Sequence, residues 1–190
     1  MEQIRLDADS HTYYLGKRKV PGYSEIVRDL GVAPVNPFYT EQGREEGKAL
    51  HLWLGFLAQG KVPAAPPDER IAGRVEGIKK FIRDSGFKIA GGETPLYDPI
   101  SRFACSPDMW GFIGNWSFVI DAKRGTKLAT HRLQTAAQTV ALRSNGFRAQ
   151  KRAALYLRDG DYRLDEHSDF VDLARWQVFV SAYHAKREYQ

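Results

Sequence analysis

A chain of 190 residues, 43% hydrophobic and 27% charged, suits one domain with a single sizeable core. Its formal net charge of +5 permits a polyanionic partner without requiring one. No apolar run reaches membrane-spanning length, "MEQIRLDADS" has no signal-peptide pattern, and Cys105 is the one cysteine. The expectation is therefore an intracellular, cytoplasmic protein with no membrane partner, no internal disulfide and no cysteine-rich metal site.

The first segment, "IRLDADSHTYYLGKRKV", predicts a hairpin: Tyr13, Tyr14 and Leu15 make a strand-like run and "GKRK" a turn. "SEIVRDLG" predicts a short helix with Ser24 as its cap and Gly31 past its end, and Pro34 and Pro37 mark a loop. In "EQGREEGKALHLWLGFLAQG", Leu50, Trp53, Leu54 and Leu57 recur at helical spacing and Gly60 is a stop. "PPDERIAGRVEGIKKFIRDSG" predicts a second long helix, with an apolar face of Ile71, Val75, Ile78, Phe81 and Ile82.

After Gly86 the pattern turns strand-like. "FKIAGGETPLYD", "RFACSPDMWGFI" and "WSFVIDAK" predict a three-stranded meander. "TKLATHRLQTAAQTVALRSNG" predicts a helix capped by Thr126 or Thr130 and ended by Gly146. "KRAALYLRDGDYRLDE" predicts a hairpin turning at Asp159-Gly160, and the last stretch a helix with a basic end. The order predicts an α/β fold with a mixed sheet flanked by helices. It forms a single domain over 1–190: hairpin and helices over 1–86, core over 87–167, C-terminal helix over 168–190.

In "FVIDAKRG", alternation puts Asp121 and Lys123 on one strand face with Ser117 and Val119, while Trp116, Phe118 and Ile120 lie opposite. Alone, the pair reads as a solvated strand end with a weak ion pair. A second acid-x-Lys, Glu46-Gly47-Lys48, occurs in a helical pattern, so the tripeptide by itself selects nothing. Its neighbours add meaning. Asp108 in "SPDMWGF" sits on the adjacent strand, and two carboxylates there would suit Mg²⁺ or Mn²⁺. His51 follows Gly47 by one helical turn, on a flank shared with Arg44 and Lys48, and is a candidate metal ligand. Gln134 and Gln138 flank the apolar face of the following helix.

Together these residues resemble the PD-(D/E)XK nuclease superfamily, and within it the RecB-type exonuclease domains of phage and recombination systems. Gly47 and His51 in "EGKALH", Asp108 in "SPDMWG", Asp121-Ala122-Lys123 in "VIDAKRG" and Gln134 in "HRLQTAAQ" carry the likeness, in family order, over roughly residues 5 to 180. Where the family often has a tyrosine, four residues after the glutamine, this chain has Gln138.

The resemblance implies a restriction-endonuclease-like core in αβββαβ order behind an N-terminal hairpin. It implies metal-dependent DNA hydrolysis: Asp108, Asp121, Lys123 and Gln134 catalytic, and His51, Asp108, Asp121 and the Ala122 carbonyl on Mg²⁺ or Mn²⁺. Glu93 in "GGETPLYD" is carried over as an accessory acid. Arg44, Lys48, Arg124, Lys127, Arg132 and Gln138 are the expected nucleic-acid contacts. The partner is DNA, with a recombination or helicase protein as a further expectation, and Cys105 alone excludes the iron–sulfur cluster of some relatives. An endonuclease with the same site, or a binding module that has lost catalysis, remain as alternatives.

Overall fold

The computed structural model describes residues 2–32, 40–61, 63 and 65–189. The chain forms β1 (Ile4–Asp7), β2 (Thr12–Leu15), β3 (Arg18–Val20), α1 (Tyr23–Asp29), α2 (Glu41–Ala58) and α3 (Glu69–Ser85). It continues through β4 (Lys88–Gly91), β5 (Leu96–Asp98), β6 (Phe103–Cys105), β7 (Met109–Ile113) and β8 (Trp116–Arg124). The last elements are α4 (Ala129–Ser144), β9 (Lys151–Leu157), β10 (Tyr162–Glu166) and α5 (Val171–Glu188). The loop marked by Pro34 and Pro37 lies outside the described residues.

β8 is the centre of a five-stranded mixed sheet of order β10-β9-β8-β7-β4. It pairs antiparallel with β7, Met109 facing Ile120, and parallel with β9, Lys123 facing Tyr156. A parallel pair needs a crossover, and α4 supplies it. Two side-chain sets leave β8 in opposite directions. Phe118, Ile120 and Ala122 join Leu50, Trp53 and Leu54 of α2 and Ile71, Val75, Ile78 and Phe81 of α3 in one core. Burying each large side chain there contributes about 1.5–3 kcal/mol. Val119 packs with Leu142 of α4 on the other face, where α1, α4 and α5 share a second core around Trp176.

The helix ends follow local chemistry in part. Thr40 caps α2 by accepting from the Gly43 N–H (3.0 Å), Asp68 caps α3 through the Arg70 N–H (2.9 Å), and Gly86 ends α3 at φ +64°. Other expected caps are not used. α1 begins after Gly22 with no side-chain cap, so Ser24 lies inside the helix, and α4 begins after Leu128 rather than at Thr126 or Thr130.

The strand count also differs from the sequence reading. The opening hairpin adds β3 to become a three-stranded sheet. Two of the three strand-like segments after Gly86 are each broken in two, and β5 and β6 form a separate ribbon between β4 and β7. Each break coincides with a turn the side-chain pattern does not show. Glu93 adopts φ +50° after Gly91-Gly92, and Pro107-Asp108 follows β6.

Candidate active site

Five segments bring side chains together around one end of β8: α2 with His51, the turn after β4 with Glu93, the residue before β7, Asp108, β8 itself with Asp121 and Lys123, and α4 with Gln134 and Gln138. Continuing the β7–β8 register by one position sets Asp108 opposite Asp121, and Asp108 Oδ2 accepts from the Ala122 N–H at 2.7 Å. Asp108 is buried. Loss of solvent, and then the nearby Asp121 carboxylate, push its pKa well above the usual carboxylate range.

His51 reaches this acid from α2. Its Nδ1 lies 2.7 Å from Glu93 Oε1 and 3.5 Å from Asp108 Oδ1. The Asp108 charge, reinforced by Glu93, raises the imidazole pKa to about 9. An imidazolium there donates its Nδ1–H to Glu93. Ligand atoms of His51, Glu93 and Asp108 all lie within 4.8 Å of one another. One imidazole and two carboxylates at that spacing fit a divalent cation.

Glu93 gets there by an unusual route. β4 has a register shift between Ile89 and Gly91, and the chain then turns in toward Asp108. Gly92 lies so close that a Cβ on it would come within 2.3 Å of the Asp108 carbonyl oxygen. Glu93 N–H donates to the Pro107 carbonyl (2.9 Å), and Glu93 itself is held at φ +50°, a left-handed conformation that side chains other than glycine resist.

Asp121, fully buried, stands beside this cluster and outside its three mutually close atoms. Gln138 of α4 donates Nε2–H to its Oδ1 at 2.7 Å. Its Oδ2 touches the Lys123 ammonium but, among the described residues, has no aligned hydrogen-bond donor. Lys123 in turn donates to Gln134 Oε1 at 2.8 Å. Gln134 and Gln138, one helical turn apart, thus hold the lysine and the acid of the same strand. Gly47 of α2 has only open space where a side chain would be, one turn before His51.

The structure gives several of the expected residues further contacts within the chain. Gln138, expected at a nucleic-acid contact, is 2% exposed and orients Asp121 instead. Arg132 is tied to Asp169 (2.9 Å) and Asp172 (3.0 Å), within a network that also holds the buried Arg152. Arg124 pairs with Glu46 (2.7 Å) and Lys127 with Asp165 (2.7 Å). Arg44 is exposed, 3.5 Å from Glu41, and Lys48 is exposed on the same helix. Glu93, carried as accessory, is a full member of the close triad. The Ala122 N–H is used by Asp108.

Two residues of the site were missed. His131 Nδ1 and the Tyr156 hydroxyl share a hydrogen bond of 2.8 Å. Burial, and then the Lys123 charge, lower the His131 pKa to about 4, so its imidazole is neutral. Positions 131, 134 and 138 lie on one stripe of a helix, a signal already present in the sequence. Tyr156 stands opposite Lys123 only through the β8–β9 register, which no local pattern reveals.

Among solved structures, the chain is similar to an alkaline exonuclease, LHK-Exo, from Laribacter hongkongensis. The two are 18% identical, over 86% of this chain and 87% of that one, with a TM-score of 0.49. LHK-Exo in complex with dAMP matches at 15% identity over 90% and 88%, with a TM-score of 0.45. A candidate exonuclease from Eubacterium rectale matches at 9% identity over 87% and 72%, with a TM-score of 0.47. No protein-family model matches the chain, and no curated protein matches its sequence. Among the described residues, no helix is long and apolar enough to cross a membrane.

Proposed function

We propose that this chain is a metal-dependent deoxyribonuclease that hydrolyses phosphodiester bonds, acting as an exonuclease on DNA ends. The observation that carries this reading is the meeting of two groups of side chains. His51, Glu93 and Asp108 converge at a spacing that suits a cation, next to a buried acid and a lysine each held by its own glutamine.

A bound Mg²⁺ or Mn²⁺ would acidify a water and neutralise charge growing on the phosphate. The chain's own residues supply the rest. His51, Glu93 and Asp108, with Asp121 and the Ala122 carbonyl, are the proposed ligands. Asp108 is pinned by the Ala122 N–H through Oδ2, which leaves Oδ1 toward His51. Gln138 occupies Asp121 Oδ1 and so fixes the carboxylate plane. Lys123, restrained by Gln134 and Asp121, would orient the attacking water or stabilise the phosphate oxygens. Arg44 and Lys48, on the same helix as His51, would contact the phosphate backbone. Arg124 and Lys127 would do so by exchanging partially exposed ion pairs worth about 0–1 kcal/mol.

Service in DNA recombination, repair or phage DNA processing, in the cytoplasm and beside a recombination or helicase protein, belongs to the same proposal. It rests on the sequence resemblance.

The test offers labelled single-stranded, linear duplex and closed circular DNA to the purified chain with Mg²⁺, Mn²⁺ or chelator. Metal-dependent loss of linear but not circular DNA is the expected outcome. Cleavage of circles would establish the endonuclease alternative, and no degradation under any metal would overturn the nuclease reading.

A further inference from the structure

At the opposite end of β8 from the carboxylates lies a separate cavity of about 300 Å³, bounded by the starts of β8, β9 and α5 and by the second half of α4. Asp121 lies five positions along β8 from Trp116 on its wall. At the rise of a strand that is roughly 17 Å, so the two sites do not share side chains.

The cavity combines flat apolar surface with positive charge. Trp116 is 51% exposed and Phe170 is 78% exposed. Two large rings left in water beside one hollow mark a surface that a ligand would cover. Arg143 donates both Nε–H and Nη2–H to the Ala149 carbonyl (3.0 and 2.8 Å) and, among the described residues, has no carboxylate partner. Partial burial, followed by the charges of Arg148 and Arg152, lowers its pKa below the ordinary guanidinium value.

Arg143 and Arg152 both line this cavity, and of the two, among the described residues, it is Arg152 that an acid answers, Asp172 at 2.7 Å. Lys151 adds a third cation on the wall, 5.1 Å from the Trp116 ring centroid. The acids on the wall are already engaged, Glu166 with Lys151 (3.3 Å) and Asp169 with Arg132 (2.9 Å). An anion would relieve the crowding, and a flat ring would cover the aromatics. A nucleotide carries both.

We propose that this cavity binds one nucleotide unit of a single nucleic-acid strand, its base against Trp116 and Phe170 and its phosphate at Arg143 and Lys151. The inference goes beyond the proposed cleavage site and does not depend on it, because binding is read without metal and without hydrolysis.

The experiment titrates AMP into the full chain in chelator by calorimetry, with adenosine and inorganic phosphate as separate arms. Phe170→Ala, at a position too exposed to threaten the fold, and Trp116→Ala should each weaken AMP about fivefold or more, as loss of one stacking ring does. Arg143→Gln should weaken it comparably, and Lys123→Ala should leave it unchanged. Adenosine and phosphate alone should each bind more weakly than AMP. The proposal is overturned if AMP does not bind, if phosphate binds as well as AMP, or if both aromatic variants bind like the wild type. Loss of binding in Lys123→Ala would also overturn it, by assigning the nucleotide to the carboxylate end.

Discussion

Glu93 allows a test in which stability and function are expected to part. The residue sits at φ +50°, where a side chain costs roughly 1–2 kcal/mol that glycine does not. Replacing it with Ala or with Gly removes the same carboxylate from His51. The two variants therefore share the loss of the Glu93–His51 contact and differ in the backbone alone. At an ordinary position Gly is less stable than Ala by about 0.5–1 kcal/mol. Here the released strain should reverse that order, making Glu93→Gly the more stable by about 1 kcal/mol. For a chain of this size that is a difference of about 2–4 °C in Tm. Thermal unfolding of both variants without metal reads the difference, and calorimetric titration with Mn²⁺ reads the site. Both variants should bind Mn²⁺ at least about tenfold more weakly than the wild type, since losing even a group that only supports a metal ligand costs that much. If Glu93→Ala proves the more stable, the left-handed backbone and the route that brings Glu93 to the triad are wrong. If Mn²⁺ affinity is unchanged, Glu93 is not a ligand.

Further predictions concern the same end of β8. Raised folded pKa values mean that His51 and Asp108 hold protons more tightly in the fold than in the unfolded chain. Their stabilisation is complete at low pH and is lost as pH climbs, for His51 through about 9. Metal must displace these protons, so Mn²⁺ affinity should rise with pH and level off above about 9, with proton release visible in buffers of different ionisation enthalpy. Gly92→Ala would drive a Cβ into the Asp108 carbonyl, 2.3 Å away, and should cost about 1–3 kcal/mol in urea unfolding while displacing Glu93. Gln138→Leu leaves Asp121 Oδ1 buried without its donor and should cost about 1–3 kcal/mol. It should also lower kcat more than it raises KM, whereas an equal change in both would place Gln138 on the substrate.

What could be read before the structure depended on how local the cause was. The two faces of residues 116–124 follow from strand alternation, and the split of Phe118, Ile120 and Ala122 from Asp121 and Lys123 is as expected. The glutamines of α4 were legible for the same reason, since helical spacing turns both toward one strand. The register that sets Asp108 against Asp121 was not legible, because nothing in "SPDMWGFIGNW" specifies which residues pair. The place of Glu93 was still less so: it depends on a register shift, a glycine against a carbonyl and a left-handed residue, each defined by a neighbouring strand. The ion pairs of Arg132 and Lys127 were not legible either, because their carboxylate partners lie 30 or more residues away and only folding brings them together.

The most direct test uses Asp108→Asn. Asparagine keeps the shape of the side chain and an oxygen for the Ala122 N–H, and removes only the buried charge that the triad needs. Nucleotide release from linear duplex DNA in Mg²⁺ is then compared with that of the wild type, with unfolding followed in parallel. The account predicts a folded variant, at least as stable without metal, whose cleavage falls by two orders of magnitude or more, about 3 kcal/mol of transition-state stabilisation. Cleavage at the wild-type rate by a folded Asp108→Asn would contradict it.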